Sequence, residues 1–260
     1  MQGAGNDYVY IDCFKTPIET LGDISNLAIK ISDRHFGVGS DGLVLIMPSN
    51  NGADVRMRMF NADGSEAQMC GNASRCVARY AIDNGIVDKP EFLLQTKLSN
   101  KQITVQPNGK ITVNMGCPEI LEHNVVSVSN SEYHYTAVSM GNPHCVIFVD
   151  NVKDFPVKEI GSIIEVHKNF PEKTNVEFAH VLNDGNIEMR VWERGAGETL
   201  ACGTGACATL TAAAINGLTS EKALLKLRGG NLEILWNKSD NNIYMTGDAE
   251  VVFYGEFLIK

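Results

Sequence analysis

The chain has 260 residues, enough for one large domain or two small ones, and its 44% hydrophobic and 20% charged content suits a globular protein with a substantial core. Thirty-one acidic residues against 22 basic ones leave a net charge of −9, the wrong sign for neutralising phosphates, so no nucleic-acid partner is expected. No run approaches the ~18 apolar residues of a membrane helix and the N-terminus carries no signal-peptide pattern, so a cytoplasmic protein without a membrane partner is expected.

In chain order, Tyr8–Cys13 reads as a short strand, and Ile24, Leu27, Ala28 and Ile31 then fall at helical spacing behind Asp23, a capping residue. Gly42–Met47 and Val55–Asn61 read as strands, the second alternating residue by residue. A helix over about Asn72–Asn84 should stop at Gly85, where glycine accepts a left-handed backbone. Glu91–Thr96, Gln102–Gln106 and Ile111–Met115 are short β segments, the last two joined by a turn at Pro107–Lys110. Further on, Cys145–Val149 reads as a strand, Val157–Glu165 as a helix, and Asn175–His180 and Ile187–Trp192 as strands. A second glycine-stopped helix spans about Thr204–Asn216, and short strands close the chain.

The two halves repeat. Shifted by 132 positions, Met57–Gly85 lies on Met189–Gly217 without a gap, and eight of the 29 positions are identical: Met57/Met189, Arg58/Arg190, Glu66/Glu198, Cys70/Cys202, Gly71/Gly203, Ala81/Ala213, Asn84/Asn216 and Gly85/Gly217. Upstream the offset drifts to 134, where Ser40-Asp41 meets Thr174-Asn175, and to 136, where Gly5-Asn6 meets Gly141-Asn142. A duplicated domain with small insertions leaves this pattern. The second helix is apolar nearly all round (Ala206, Cys207, Ala208, Leu210, Ala212, Ala213), so other elements must surround it. The expected fold is α+β: two pseudo-symmetric domains, each a curled mixed sheet around a central helix. The first covers 1–115 plus a C-terminal strand at about 250–260, and the second covers 116–249.

Seven cysteines occur, without a C-x-x-C pair or a zinc-like spacing, so neither a structural metal nor a disulfide scaffold is expected and most thiols should serve as small core hydrophobes. Cys70 and Cys202 differ, because each sits with a glycine at the start of a duplicated helix. There the helix dipole and unpaired N–H groups favour the thiolate, which predicts lowered pKa values for both. Two helix starts also make an anion site suited to a carboxylate. Duplication supplies two equivalent acid/base groups, and inverting a stereocentre needs two: one removes the α-proton and the other delivers a proton to the opposite face.

The stretches Gly3–Tyr8 (GAGNDY), Phe36–Leu43 (FGVGSDGL), Phe60–Ser65 (FNADGS), Met69–Asn72 (MCGN), Gly141–His144 (GNPH), Thr174–Glu177 (TNVE) and Trp192–Gly205 (WERGAGETLACGTG) resemble the diaminopimelate epimerase family over essentially the whole chain. The resemblance implies the two-domain curled-sheet fold and interconversion of LL- and meso-diaminopimelate, a step of lysine and peptidoglycan-precursor biosynthesis, without pyridoxal phosphate or metal. It further implies a homodimer acting on a small amino-acid substrate. Residue by residue, Cys70 and Cys202 would be the acid/base pair, and Gly71, Asn72, Gly203 and Thr204 would hold the reacting carboxylate. Asn6, Asn61, Asn175 and Arg194 would read the distal amino-acid end with Asn142 and Glu193 nearby, while His144 and Glu193 would tune the thiols. Gly42 departs from the pattern, standing where some members carry a substrate-side glutamine.

Other readings are weaker. Gly37–Gly42 matches a dinucleotide fingerprint in letters but follows a helix and precedes a strand, the reverse of the required order. A cysteine hydrolase using His144 would leave the second cysteine idle, and a non-catalytic amino-acid-binding protein would need no thiolate. A relative acting on lanthionine or histidine stays open, since meso-lanthionine also has a distal carboxylate.

Overall fold

The computed structural model describes residues 1–129 and 131–258. The chain folds as two compact units, one made of Met1–Val113 with the segment from Gly247 onward, the other of Asn114–Thr246.

In the first unit, Val9–Asp12 runs parallel to Gly42–Met47, which is antiparallel to Val55–Asn61. That strand is parallel to Glu91–Gln95, and Asn100–Val105 and Ile111–Val113 follow antiparallel. The second unit has the same sequence of directions: Pro143–Phe148, Asn175–Val181, Ile187–Glu193, Lys222–Leu227, Gly230–Asn237, Asn242–Thr246. The duplication counted in the sequence is therefore a duplication of topology. The second unit adds a hairpin, Glu119–Val128 with Ser131–Ser139, which pairs onto Pro143–Phe148. This hairpin was not anticipated. Its outer stretch, Glu119–Asn124, is exposed throughout and carries no alternation that would have marked it.

The described residues also form four α-helices, α1 (Ile24–Ser32), α2 (Gly71–Asp83), α3 (Val157–Glu165) and α4 (Gly203–Ile215), together with a 3-10 turn at Ile18–Leu21 and a small antiparallel pair, Gln2–Gly3 with Asn6–Asp7. The Asp23 carboxylate caps α1, accepting from the Ser25 and Asn26 N–H groups. After α2 and α4 the chain turns through Gly85 (φ 66°) and Gly217 (φ 69°), the left-handed conformation that glycine adopts without penalty. In α4 every residue from Gly205 to Ala213 is buried, and the helix touches strands on all sides of its unit. Its alanines and Cys207 are small enough to let the sheet close around it, which answers the all-round apolar pattern. No helix among the described residues is long and apolar enough to cross a membrane.

One expectation about the fold needs correcting. The closing strand at about 250–260 reduces to one antiparallel bridge, in which Gln2 and Glu250 exchange both backbone hydrogen bonds at 2.9 Å. Residues 251–258 form no strand, and Val252, Phe253, Tyr254 and Leu258 are exposed; residues 259–260 lie outside the described ones. The cysteines follow the expectation that most are core residues: Cys76, Cys145, Cys202 and Cys207 are buried, Cys13 and Cys70 are half-buried and Cys117 is exposed.

Candidate active site

Each unit builds a cysteine-bearing helix start in the same way. In the first, the strand Val55–Asn61 turns back through Gly64 (φ 84°), and Glu66–Ala67 pairs onto Met59–Phe60. In the second, Ile187–Glu193 turns through Gly195 and Gly197, and Gly197–Thr199 pairs onto Val191–Glu193. An ion pair locks each hairpin: Arg58 Nε to Glu66 Oε1 at 2.7 Å, and Arg190 Nε to Glu198 Oε1 at 2.8 Å. These are the Arg and Glu identities of the repeat, so the duplication retained the latch together with the residue it delivers. Cys70 and Cys202 then cap α2 and α4 with extended backbones (φ −139° and −123°).

In the first unit, Cys70 Sγ donates to Asn6 Oδ1 at 3.3 Å. The other end of that amide, Asn6 Nδ2, donates to Asp41 Oδ2 at 2.7 Å, and Arg34 bridges Asp41 and Asp7. Asn72, in the first turn of α2, is buried, and its Oδ1 accepts from Arg75 Nη2 at 2.9 Å. Arg75 is fully buried and also donates to the Gly71 and Asp248 carbonyls. Asn61 ends its strand with its amide on Ser65 Oγ at 3.0 Å, inside its own hairpin. Gly42 has a steric cause: a Cβ there would lie 2.1 Å from the Phe60 carbonyl oxygen and 2.8 Å from the Tyr8 ring, so this backbone excludes a side chain.

In the second unit, Cys202 is buried; its Sγ accepts from the Gly205 N–H at 3.3 Å and lies 3.5 Å from Thr204 Oγ1. Behind it stands a buried polar cluster. His144 Nδ1 meets Glu177 Oε1 at 2.7 Å, both side chains wholly inaccessible, and His144 Nε2 meets Asn142 Oδ1 at 3.1 Å. Asn142 Nδ2 reaches Thr204 Oγ1 at 3.4 Å. Glu193 accepts from Thr199 Oγ1 and hydrogen-bonds Cys202. Asn175 spends both ends of its amide on backbone: Nδ2 donates to the Pro143 carbonyl at 2.9 Å, and Oδ1 accepts from the Arg194 N–H at 3.0 Å. Arg194 is exposed, with Nη1 on the Glu172 carbonyl.

The electrostatics of Cys202 overturn the expectation of a lowered pKa. Burial pushes the thiol well above its ordinary value, and the Glu193 and Glu177 carboxylates push it further, against hydrogen bonds from Thr204 and Gly205 that favour the thiolate. Desolvation and two acidic neighbours outweigh one helix start, so Cys202 rests as a thiol. Burial likewise raises the Glu193 carboxyl, opposed by its bonds from Thr199 and Cys202.

Three residues of this constellation escaped the sequence reading: Asp41, Arg75 and Glu177. Glu177 left a signal, as the charged residue within the apolar run Val176–Ala179, on the same face of its strand as Asn175. Arg75 left one too, being a charge flanked by Ala73, Cys76, Val77 and Ala78. Asp41 left none beyond its position in a glycine-rich loop.

The fold is like that of a Bacillus anthracis protein of the PhzF phenazine-biosynthesis family, with a TM-score of 0.71 and 16% identity over 95% of this chain and 91% of that one. Taken with the duplicated cysteine-capped helices, the comparisons define the class: an isomerase of the two-domain epimerase type. A family model described as diaminopimelate epimerase matches residues 1–121 and 136–252. Diaminopimelate epimerases of Methanococcus maripaludis (strain C5) and Acetivibrio thermocellus are each 50% identical to this chain, over 98% of it and 97% and 96% of their own lengths. The chain belongs to the diaminopimelate epimerase family.

Proposed function

We propose that this protein interconverts LL- and meso-diaminopimelate by two-base proton transfer at the α-carbon, with Cys70 and Cys202 as the acid/base pair. The observation that carries the reading is the Cys-Gly helix start built twice, by the same hairpin and latch, in a chain half-identical along its length to diaminopimelate epimerases. In each direction one thiolate takes the α-proton, leaving a carbanion, and the other group, as thiol, returns a proton from the opposite face. Cys202, a thiol at rest, is fitted to the donor role in the first half of a cycle. The N–H groups of Gly71, Asn72, Gly203 and Thr204 are suited to holding the α-carboxylate and the negative charge that develops on it. Asn6, Asn61, Asn175 and Arg194, with Asn142 and Glu193 nearby, are assigned to the distal end, the Arg194 guanidinium matching a second carboxylate. His144 and Glu193 tune the Cys202 proton.

No pyridoxal phosphate or metal enters this scheme, so activity should survive exhaustive chelation. A cytoplasmic homodimer completes the proposal; sedimentation equilibrium giving a single chain mass would remove the dimer from it. The central test is incubation with diaminopimelate, lanthionine and histidine separately in D2O, followed by mass spectrometry of the α-carbon. Deuterium should enter diaminopimelate. Label in lanthionine or histidine with none in diaminopimelate would overturn the substrate while leaving the two-thiol chemistry standing.

A further inference from the structure

The amides of Asn6 and Asn142 occupy equivalent places in the repeat, yet they are turned to different uses. Asn142 gives its carbonyl oxygen to His144 and its NH2 to Thr204. Asn6 gives its carbonyl oxygen to the Cys70 thiol and its NH2 to Asp41. An amide can face a sulfur with either end, and the two ends act oppositely: an N–H stabilises the thiolate, whereas a carbonyl oxygen can only accept from the protonated thiol. What decides the matter at Asn6 is Asp41. Its Oδ2 takes both Asn6 Nδ2 at 2.7 Å and the Asp7 N–H at 3.1 Å, while its Oδ1 is held by Arg34 at 3.0 Å. A carboxylate pinned on both oxygens has no donor to offer, so the Asn6 carbonyl is left to the sulfur. At the corresponding place in the second unit stands Asn175, whose amide is engaged on backbone.

We propose that Asp41 is a positioning residue for Cys70: by fixing the Asn6 amide it keeps the carbonyl on the sulfur and sets the pH at which Cys70 gives up the proton it must lose to act as the base. This rests on Cys70 being one of the two acid/base groups. Other charged or titratable groups act on the same sulfur, Arg75 on α2 and Tyr10 on the Val9–Asp12 strand, with Asp248 and Cys76 against Arg75 in turn, and the Asp7–Arg34 pair stands beside Asp41. Arg75 and Tyr10 are unaltered in the test, whereas Arg34 loses Asp41 as a partner in every variant, a change that each variant carries equally in an Asn6→Ala background.

The test reads the thiolate of Cys70 directly, from the pH dependence of its alkylation by iodoacetamide in the intact protein. Trypsin cleaves after Arg75 and so separates the Cys70 peptide, Met59–Arg75, from Cys76. Asp41→Ala frees Asn6 to turn its NH2 to the sulfur, and the alkylation midpoint should fall by about one pH unit, or about tenfold more reaction at a fixed pH below it. Asp41→Ser, whose hydroxyl can still take the Asp7 N–H, serves for the same measurement should the alanine variant not fold. Removing a negative charge would also lower the midpoint through space, so each variant is repeated in an Asn6→Ala background. There the shift should shrink to under about a third of a unit, because the amide that transmits it is gone. An unmoved midpoint in Asp41→Ala and Asp41→Ser, or a shift that survives undiminished without Asn6, overturns the proposal. Failure of the acid/base assignment is read separately, as turnover retained by Cys70→Ala.

Discussion

Gly205, the second glycine of the CGTG run, lies in the first turn of α4 against the Glu177 carboxylate, and replacing it with alanine tests the buried cluster behind Cys202. A Cβ there would lie 2.6 Å from Glu177 Oε1 and 3.2 Å from Cys202 Sγ, the first about 0.8 Å inside an ordinary contact. Glu177 cannot easily yield. It is wholly buried, its strand is paired on both sides, and the same Oε1 holds His144 at 2.7 Å. Overpacking of this kind costs about 1–3 kcal/mol, and disturbing a buried hydrogen bond to a charged group adds about 1.5–3 kcal/mol. Against these, alanine's better helix propensity returns about 1 kcal/mol. The net is a loss of about 1.5–5 kcal/mol, or about 5–20 °C in the unfolding midpoint of the second unit. Turnover should fall with it, since Cys202 and Glu177 both lie against the new methyl. The assay is calorimetry of Gly205→Ala alongside Gly255→Ala, whose Cβ would meet only ordinary contacts at 3.4 Å and whose midpoint should not move. A Gly205→Ala protein that gains stability, as propensity alone would have it, and keeps full turnover would refute the placement of Glu177.

Three further outcomes are expected. Cys70→Ala and Cys202→Ala should each lose about 10²–10⁴-fold in epimerisation, the double variant should be scarcely worse, and Cys76→Ala should change stability only; the comparison is turnover under reducing conditions. Glu193→Gln removes the carboxylate that, after burial, does most to raise the Cys202 thiol. Loss of a negative neighbour favours the thiolate, so the alkylation midpoint of Cys202 should move to lower pH. Arg190→Met should destabilise by about 3 kcal/mol against about 1 kcal/mol for Arg58→Met, because Arg190 also holds the Val152, Lys153 and Phe155 carbonyls; equal urea midpoints for the two variants would contradict this.

The features that were legible in the sequence are those decided within a few residues of the chain. Asp23 caps α1 by accepting from the second and third N–H groups after it, and Gly85 and Gly217 end α2 and α4 by their own φ angles. The cysteine-capped helix starts belong here too, since strand, turn and Cys-Gly follow one another directly in both units. What stayed hidden is what arrives from other strands. Nothing near Cys202 announces that Glu177, from a different strand, will stand behind its helix start, and that encounter reverses the titration a helix dipole alone predicts. The same holds for the two asparagines: one motif position, Asn6 or Asn142, puts its amide on different partners, because Asp41 holds the first and His144 and Thr204 flank the second. Duplication thus copied the backbone devices that place each sulfur. The side chains that set each sulfur's proton come from positions where the two halves have diverged, and there the equivalence of the two cysteines ends.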